Sequence, residues 1–118
     1  MNIKHGASIA RLSNEIASII PVIDYLYKEL YQTRNEGFTL TSGSEGHHLE
    51  GLHKPSSLHY PFNCPEKLGR AIDIRTRDLT DSEVSILASL IKSNIGKNFD
   101  VIIENNPKHI HVEYQPKG

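Results

Sequence analysis

The sequence predicts an α+β domain: a small, mainly antiparallel sheet with an N-terminal helix or helices and one later helix packed on one face. Three observations lead there. Apolar residues recur at helix spacing over residues 8–34 and again from Val84 to Ile95. Residues 38–41, 69–76 and 109–114 alternate in the manner of strands, and 99–104 is a short apolar run. The chain has 118 residues, enough for one domain over 1–118 and too few for two.

In the first segment Ile9, Leu12, Ile16, Ile19 and Ile20 line up, followed by Val22, Ile23, Leu26 and Leu30. Pro21 either kinks one helix or opens a second at its first turn. Asn35-Glu36-Gly37 ends the segment and Phe38-Thr39-Leu40-Thr41 reads as a strand. Residues 42–68 are rich in Gly, Ser, Pro and His and poor in apolar anchors. So long an irregular stretch in a small domain is usually functional, or ordered by something such as a metal. Gly69–Thr76 places Ala71 and Asp73 on one face of a strand and Ile72 and Ile74 on the other.

Thr80-Asp81-Ser82-Glu83 is a capping-box signature, and Gly96 stands where the helix it opens should end. Phe99–Glu104 and His109–Tyr114 should form a hairpin about the turn Asn105–Lys108. Alternation then sends His109, His111 and Glu113 to one face and Ile110 and Val112 to the other.

Composition removes several function classes. The hydrophobic and charged fractions, 37% and 23%, are those of a globular chain rather than a disordered one. A net charge of −1 gives no basic face for nucleic acid. No apolar run approaches the roughly 18 residues of a membrane span, so no membrane insertion is expected. Cys64 is the single cysteine and cannot form an internal disulfide. Residues 1–6 lack the pattern of a signal peptide. Nothing demands more than a monomer.

The unusual feature is seven histidines, four of them (His47, His48, His53 and His59) within thirteen positions and two more at His109 and His111. Three patterns stand out: Ser57-x-His59, Gly69-x-Ala71-x-Asp73 and His109-x-His111. Zinc takes imidazole nitrogen and carboxylate oxygen, and a catalytic site keeps one position for water. His59, Asp73 and one of the two terminal histidines would supply three ligands, with the other histidine or Glu104 as proton shuttle. Taken singly, each residue is ordinary: a His or Asp on a strand is most often a surface group. Adjacent His47 and His48 read as solvent-exposed loop, and His5 as tail.

In combination and order, the motifs resemble the zinc D-Ala-D-Ala carboxypeptidases and L-Ala-D-Glu endopeptidases. These VanY-type peptidases share a metal-site architecture with lysostaphin-type enzymes and the Hedgehog signalling domain. Ser57, His59, Gly69, Ala71, Asp73 and His111 match the pattern, and the likeness covers about residues 38–115. The resemblance implies a Hedgehog/DD-peptidase-like fold and zinc held by His59, Asp73 and His111. It implies a peptidoglycan peptide as substrate and either His109 or Glu104 as general base. Ser57 of the first motif would bind substrate, and Arg70 or Arg75 (or Arg77) would stand in for the arginine that binds a substrate carboxylate in the family. That arginine usually follows a Ser-Gly turn; here Ser42-Gly43 is followed by Ser44-Glu45. The family usually has about six residues between its first His and the Asp, where this chain has thirteen, Tyr60–Ile72. Tyr60–Leu68, containing Cys64, reads as an inserted loop. Small size without a leader suggests a phage-encoded lysis or virion-associated enzyme, made in the cytoplasm and acting at the cell wall. The competing readings are a non-catalytic zinc-stabilised binding module of the same fold, and a structural protein with incidental histidines.

Overall fold

The computed structural model describes residues 1–31, 37–45, 58–59, 68–105 and 107–116. In chain order the elements are β1 (Asn2–Ile3), α1 (Asn14–Leu30), β2 (Thr39–Ser42), β3 (Ala71–Arg75), α2 (Asp81–Ile95), β4 (Phe99–Glu104) and β5 (His109–Tyr114). The strands form one mixed sheet of five in the order β1-β2-β3-β5-β4. Only the β1–β2 pairing is parallel; β2–β3, β3–β5 and β4–β5 are antiparallel. The α+β expectation is met at this level, and β4 and β5 form the expected hairpin, with Glu104 opposite His109.

Both helices pack on one side of the sheet. Ile72, Ile74, Ile110 and Val112 are fully buried there with Ile16, Ile23, Leu87 and Ile91. Each such side chain contributes about 1.5–3 kcal/mol by leaving water. The core-facing residues of β3 and β5 are those that alternation predicted, because a one-residue slip would expose them all.

Among the described residues, one helix, not two, occupies the N-terminal region, and it starts later than the periodicity suggests. Ser13 caps it, its hydroxyl accepting the Ile16 N–H at 3.2 Å. Before the cap, the chain runs beside Gly69: Gly69 N–H donates to the Arg11 carbonyl (2.6 Å) and Ser13 N–H to the Gly69 carbonyl (2.8 Å). Leu12 is buried from this extended segment, so its helix-like spacing reflects core contact and not helix. Pro21 lies inside α1 without dividing it. Pro21 and Ala17 are both exposed, so the Ala17 carbonyl left without its helical partner faces water.

Residues 1–6 are not a tail. Asn2 and Ile3 pair with Thr39 and Leu40 as the short edge strand β1. The Thr80 capping box forms as expected, with Thr80 Oγ1 accepting from Glu83 N–H and Glu83 Oε1 from Thr80 N–H. Gly96 ends α2 at φ 90°, a left-handed value that disfavours a side chain. Among the described residues, no helix is long and apolar enough to cross a membrane.

Candidate metal centre

The face of the sheet away from the helices carries the chemistry. Asp73 lies opposite His111 in the β3–β5 register, Arg75 opposite His109, and Glu104 opposite His109 across the hairpin. Strand alternation alone therefore gathers Asp73, Glu104, His109, His111 and Glu113 on one face. His59 comes from outside the sheet. The β2–β3 register shifts between Leu40 and Ser42. Such an irregularity turns a strand's end away from its ladder. Residues 42–45 leave there, and Gly43 presents its carbonyl to His59 Nδ1 at 2.9 Å.

His59, Asp73 and His111 converge so that one ligand atom from each lies within 4.8 Å of the others, a group able to hold a metal ion. His59 Nε2 is 3.3 Å from Asp73 Oδ2, and His111 Nδ1 is 2.8 Å from Asp73 Oδ1. The two rings meet edge to face with centroids 5.3 Å apart. The donor set passes a second test, on the other nitrogen of each ring. A carbonyl only accepts, so His59 Nδ1 carries the proton in its bond to Gly43, which leaves Nε2 for a ligand bond. His111 Nε2–H donates to Glu113 Oε1 at 2.8 Å, which turns Nδ1 inward. Outer hydrogen bonds of this kind fix tautomer and ring angle in metal-binding histidines.

A further layer holds these partners. Gln115 Nε2 donates to Glu113 Oε2 at 2.7 Å. Glu45 Oε1 accepts from Gly43 N–H (2.6 Å) and Ser8 N–H (3.0 Å), and Oε2 accepts from Ser42 Oγ (2.5 Å). Glycine is required at 43 by close approach, since a Cβ would stand 2.1 Å from the Ser8 carbonyl oxygen; at 69 a Cβ would crowd the His59 carbonyl oxygen at 3.0 Å. The Gly69 contact and the Arg70 N–H to Leu58 carbonyl bond (2.8 Å) lodge residues 58–59 against the start of β3.

Burial and pairing act oppositely on the ionisable groups. Burial pushes the Asp73 carboxyl up, but hydrogen bonds from His111 and His59 and their charges outweigh it and hold the group well below the carboxylate range. Burial pushes His111 down; its bonds to Asp73 and Glu113 win and raise it to about 9. Without a metal, His111 is therefore an imidazolium at neutral pH, and an ion binding at Nδ1 displaces a proton.

The two candidate bases are adjacent. His109 Nε2 is 3.0 Å from Glu104 Oε1, and Glu104 Oε1 is 3.7 Å from His111 Nδ1. His109 Nδ1–H donates to the Pro107 carbonyl at 2.7 Å, so Nε2 faces Glu104 and Asp73.

A cleft of about 490 Å³ opens beside Asp73 and His109, bounded by Lys4–Ala7, Ser42, Glu45 and Arg75. Arg77 and Lys108 also line it, and His5 does so rather than trailing as a tail. Arg75 is thus on this cleft. Arg70 is not: its guanidinium lies 5.1 Å from the Tyr114 ring centre, and Tyr114 packs against the apolar core. The reason is parity, since Tyr114 falls on the strand face opposite to His111. Ser57, His47, His48, His53 and Cys64 lie outside the described residues.

The sequence reading missed Glu113 and Glu45 as holders of the imidazoles. Glu113 was recoverable, being two residues beyond His111 and on its face. Glu45 carries no periodic signal, because its partners are the Gly43 and Ser8 backbone N–H groups and the Ser42 hydroxyl, none set by strand or helix spacing. No family model, curated protein or solved structure matches the chain.

Proposed function

We propose that the protein is a zinc-dependent peptidase acting at the bacterial cell wall on a peptidoglycan stem peptide or cross-link, as a D,D-carboxypeptidase or an endopeptidase. One observation carries the reading. Two imidazoles and a carboxylate converge with both outer ring nitrogens held by acceptors, and a second carboxylate–imidazole pair stands alongside. His59 Nε2, Asp73 and His111 Nδ1 would hold the metal, a three-ligand set of the catalytic type. A zinc ion bound there supplies Lewis-acid polarisation of the scissile carbonyl and an acidified water. The motif order Ser-x-His, Gly-x-Ala-x-Asp, His-x-His supports the substrate class.

The chain's own groups supply the proton transfers. Glu104 and His109, hydrogen-bonded at 3.0 Å, form the base that takes the proton of the attacking water. When the C–N bond breaks, the same pair returns that proton to the leaving amine. The Pro107 carbonyl takes the His109 Nδ1 proton, which turns Nε2 towards Glu104. Arg75 and Arg77, on the cleft beside Asp73, would attract a substrate carboxylate.

Zinc-loaded protein incubated with purified peptidoglycan should release peptides detectable by mass spectrometry, and His59→Ala should release none. Peptide release at the wild-type rate by His59→Ala would sink the mechanism. One zinc per chain without any cleavage would favour the binding-module reading.

A further inference from the structure

Asp73 serves two donor groups. The first is the His59–Asp73–His111 centre; the second is Asp73 with Glu104 and His109, whose ligand atoms also lie within 4.8 Å of one another. The groups meet on the same carboxylate, whose Oδ1 is also 2.8 Å from His111 Nδ1 of the first. Oδ2 is 3.3 Å from His59 Nε2, whereas Oδ1 is 3.6 Å from His109 Nε2. Glu104 Oε1 completes the second group at 3.0 Å from the same His109 nitrogen.

We propose that Asp73, Glu104 and His109 form a second, weaker divalent-cation site that shares Asp73 with the first, and that filling it shuts off hydrolysis. This rests on the peptidase reading above. The second set is one imidazole nitrogen and two carboxylate oxygens, a donor mixture suited to zinc and similar ions. Its histidine is prepared as the first two are, since Nδ1–H is committed to the Pro107 carbonyl and Nε2 points at the carboxylates. Register fixes the set as well: Glu104 on β4 pairs with His109 on β5, the strand next to Asp73's β3. Carboxylates that bridge neighbouring ions are common in two-metal sites.

Several features make this site the weaker one. Glu104 is 45% exposed and must give up conformational freedom to bind, whereas His59 is 3% exposed and already held. Arg75 and Lys108 line the cleft that opens beside His109. The first ion repels the second. The functional consequence follows from chemistry, because a lone pair donated to a metal cannot accept a proton. An ion on Glu104 and His109 therefore removes the base from the reaction. The protein would work with one ion and stop with two, which makes its activity report on metal supply.

The test is equilibrium dialysis of the full-length, metal-free protein against chelator-buffered zinc, counting zinc per chain by elemental mass spectrometry and assaying peptidoglycan cleavage at each point. Two steps are expected, the second at a free zinc concentration at least roughly tenfold higher. Cleavage should rise with the first step and fall with the second. Glu104→Ala and His109→Ala should each keep the first step and lose the second. Binding that stops at one zinc, or a second step unchanged in both variants, overturns this proposal while leaving the single-metal peptidase intact. Cleavage that rises across the second step overturns its inhibitory part. Loss of both steps in the wild-type protein overturns the first centre and this site together.

Discussion

Ile110 and His111 are consecutive on β5 and face opposite sides of one sheet. Ile110 is fully buried, and its side chain packs in the apolar core. His111 is 9% exposed, nearly as buried, yet both its ring nitrogens are held by carboxylates: Asp73 at one and Glu113 at the other. The covered face needs only hydrophobic residues of suitable size, because dispersion and the hydrophobic effect are non-directional. The open face needs particular atoms at hydrogen-bond distance, because a buried polar group without a partner costs about 1–3 kcal/mol. Stability concentrates on one side and chemistry on the other, so substitutions on the two faces should separate cleanly.

The largest contrast should come from the neighbours themselves. Ile110→Ala should cost about 2–5 kcal/mol of stability, read as a lower Tm, while the folded protein still binds its full complement of zinc. His111→Ala should lose zinc and cleavage together, and chelator should no longer lower its Tm. Zinc binding lost in Ile110→Ala at temperatures where it remains folded would break the separation.

The second contrast is between metal-free and metal-loaded protein as pH changes. His111 is raised in the fold from 6.5 to about 9. Its contribution to the metal-free protein is therefore fully present below pH 6.5 and lost as pH rises through 9. Asp73 is lowered from 3.8, so its contribution is present above that value and disappears only as pH falls further into acid. The Tm of metal-free protein should hold level between pH 4 and 6.5 and decline towards pH 9, by an amount equivalent to at most about 3 kcal/mol. With zinc on Nδ1 there is no proton to lose, and the decline should vanish. Calorimetry with and without chelator checks this; a level metal-free Tm from pH 6.5 to 9 would refute the pairing.

The smallest effect sharpens the comparison within the open face. Glu113→Ala removes the acceptor of His111 Nε2–H but no ligand. Zinc affinity should drop about 10- to 100-fold with stoichiometry unchanged, measured by competition with a chelating dye. A change in stoichiometry instead would mark Glu113 as a ligand.

What the sequence determined is what periodicity can encode. The α+β class, the Thr80 and Gly96 ends of α2, the hairpin, and the face shared by His109 and His111 all follow from local spacing. Each concerns residues within a few positions of one another, where backbone geometry allows few choices. Tertiary structure decided the rest. It converted the Ile9–Leu12 segment from expected helix to extended chain beside Gly69, made an edge strand of residues 2–3, and turned Arg70 to Tyr114 instead of the cleft. It alone brought the Gly43 carbonyl to His59, sixteen positions away, and Ser8 to Glu45, thirty-seven away. Such bonds join backbone groups that every residue possesses, so nothing in residue type or spacing announces them. They become visible only when the chain has closed on itself.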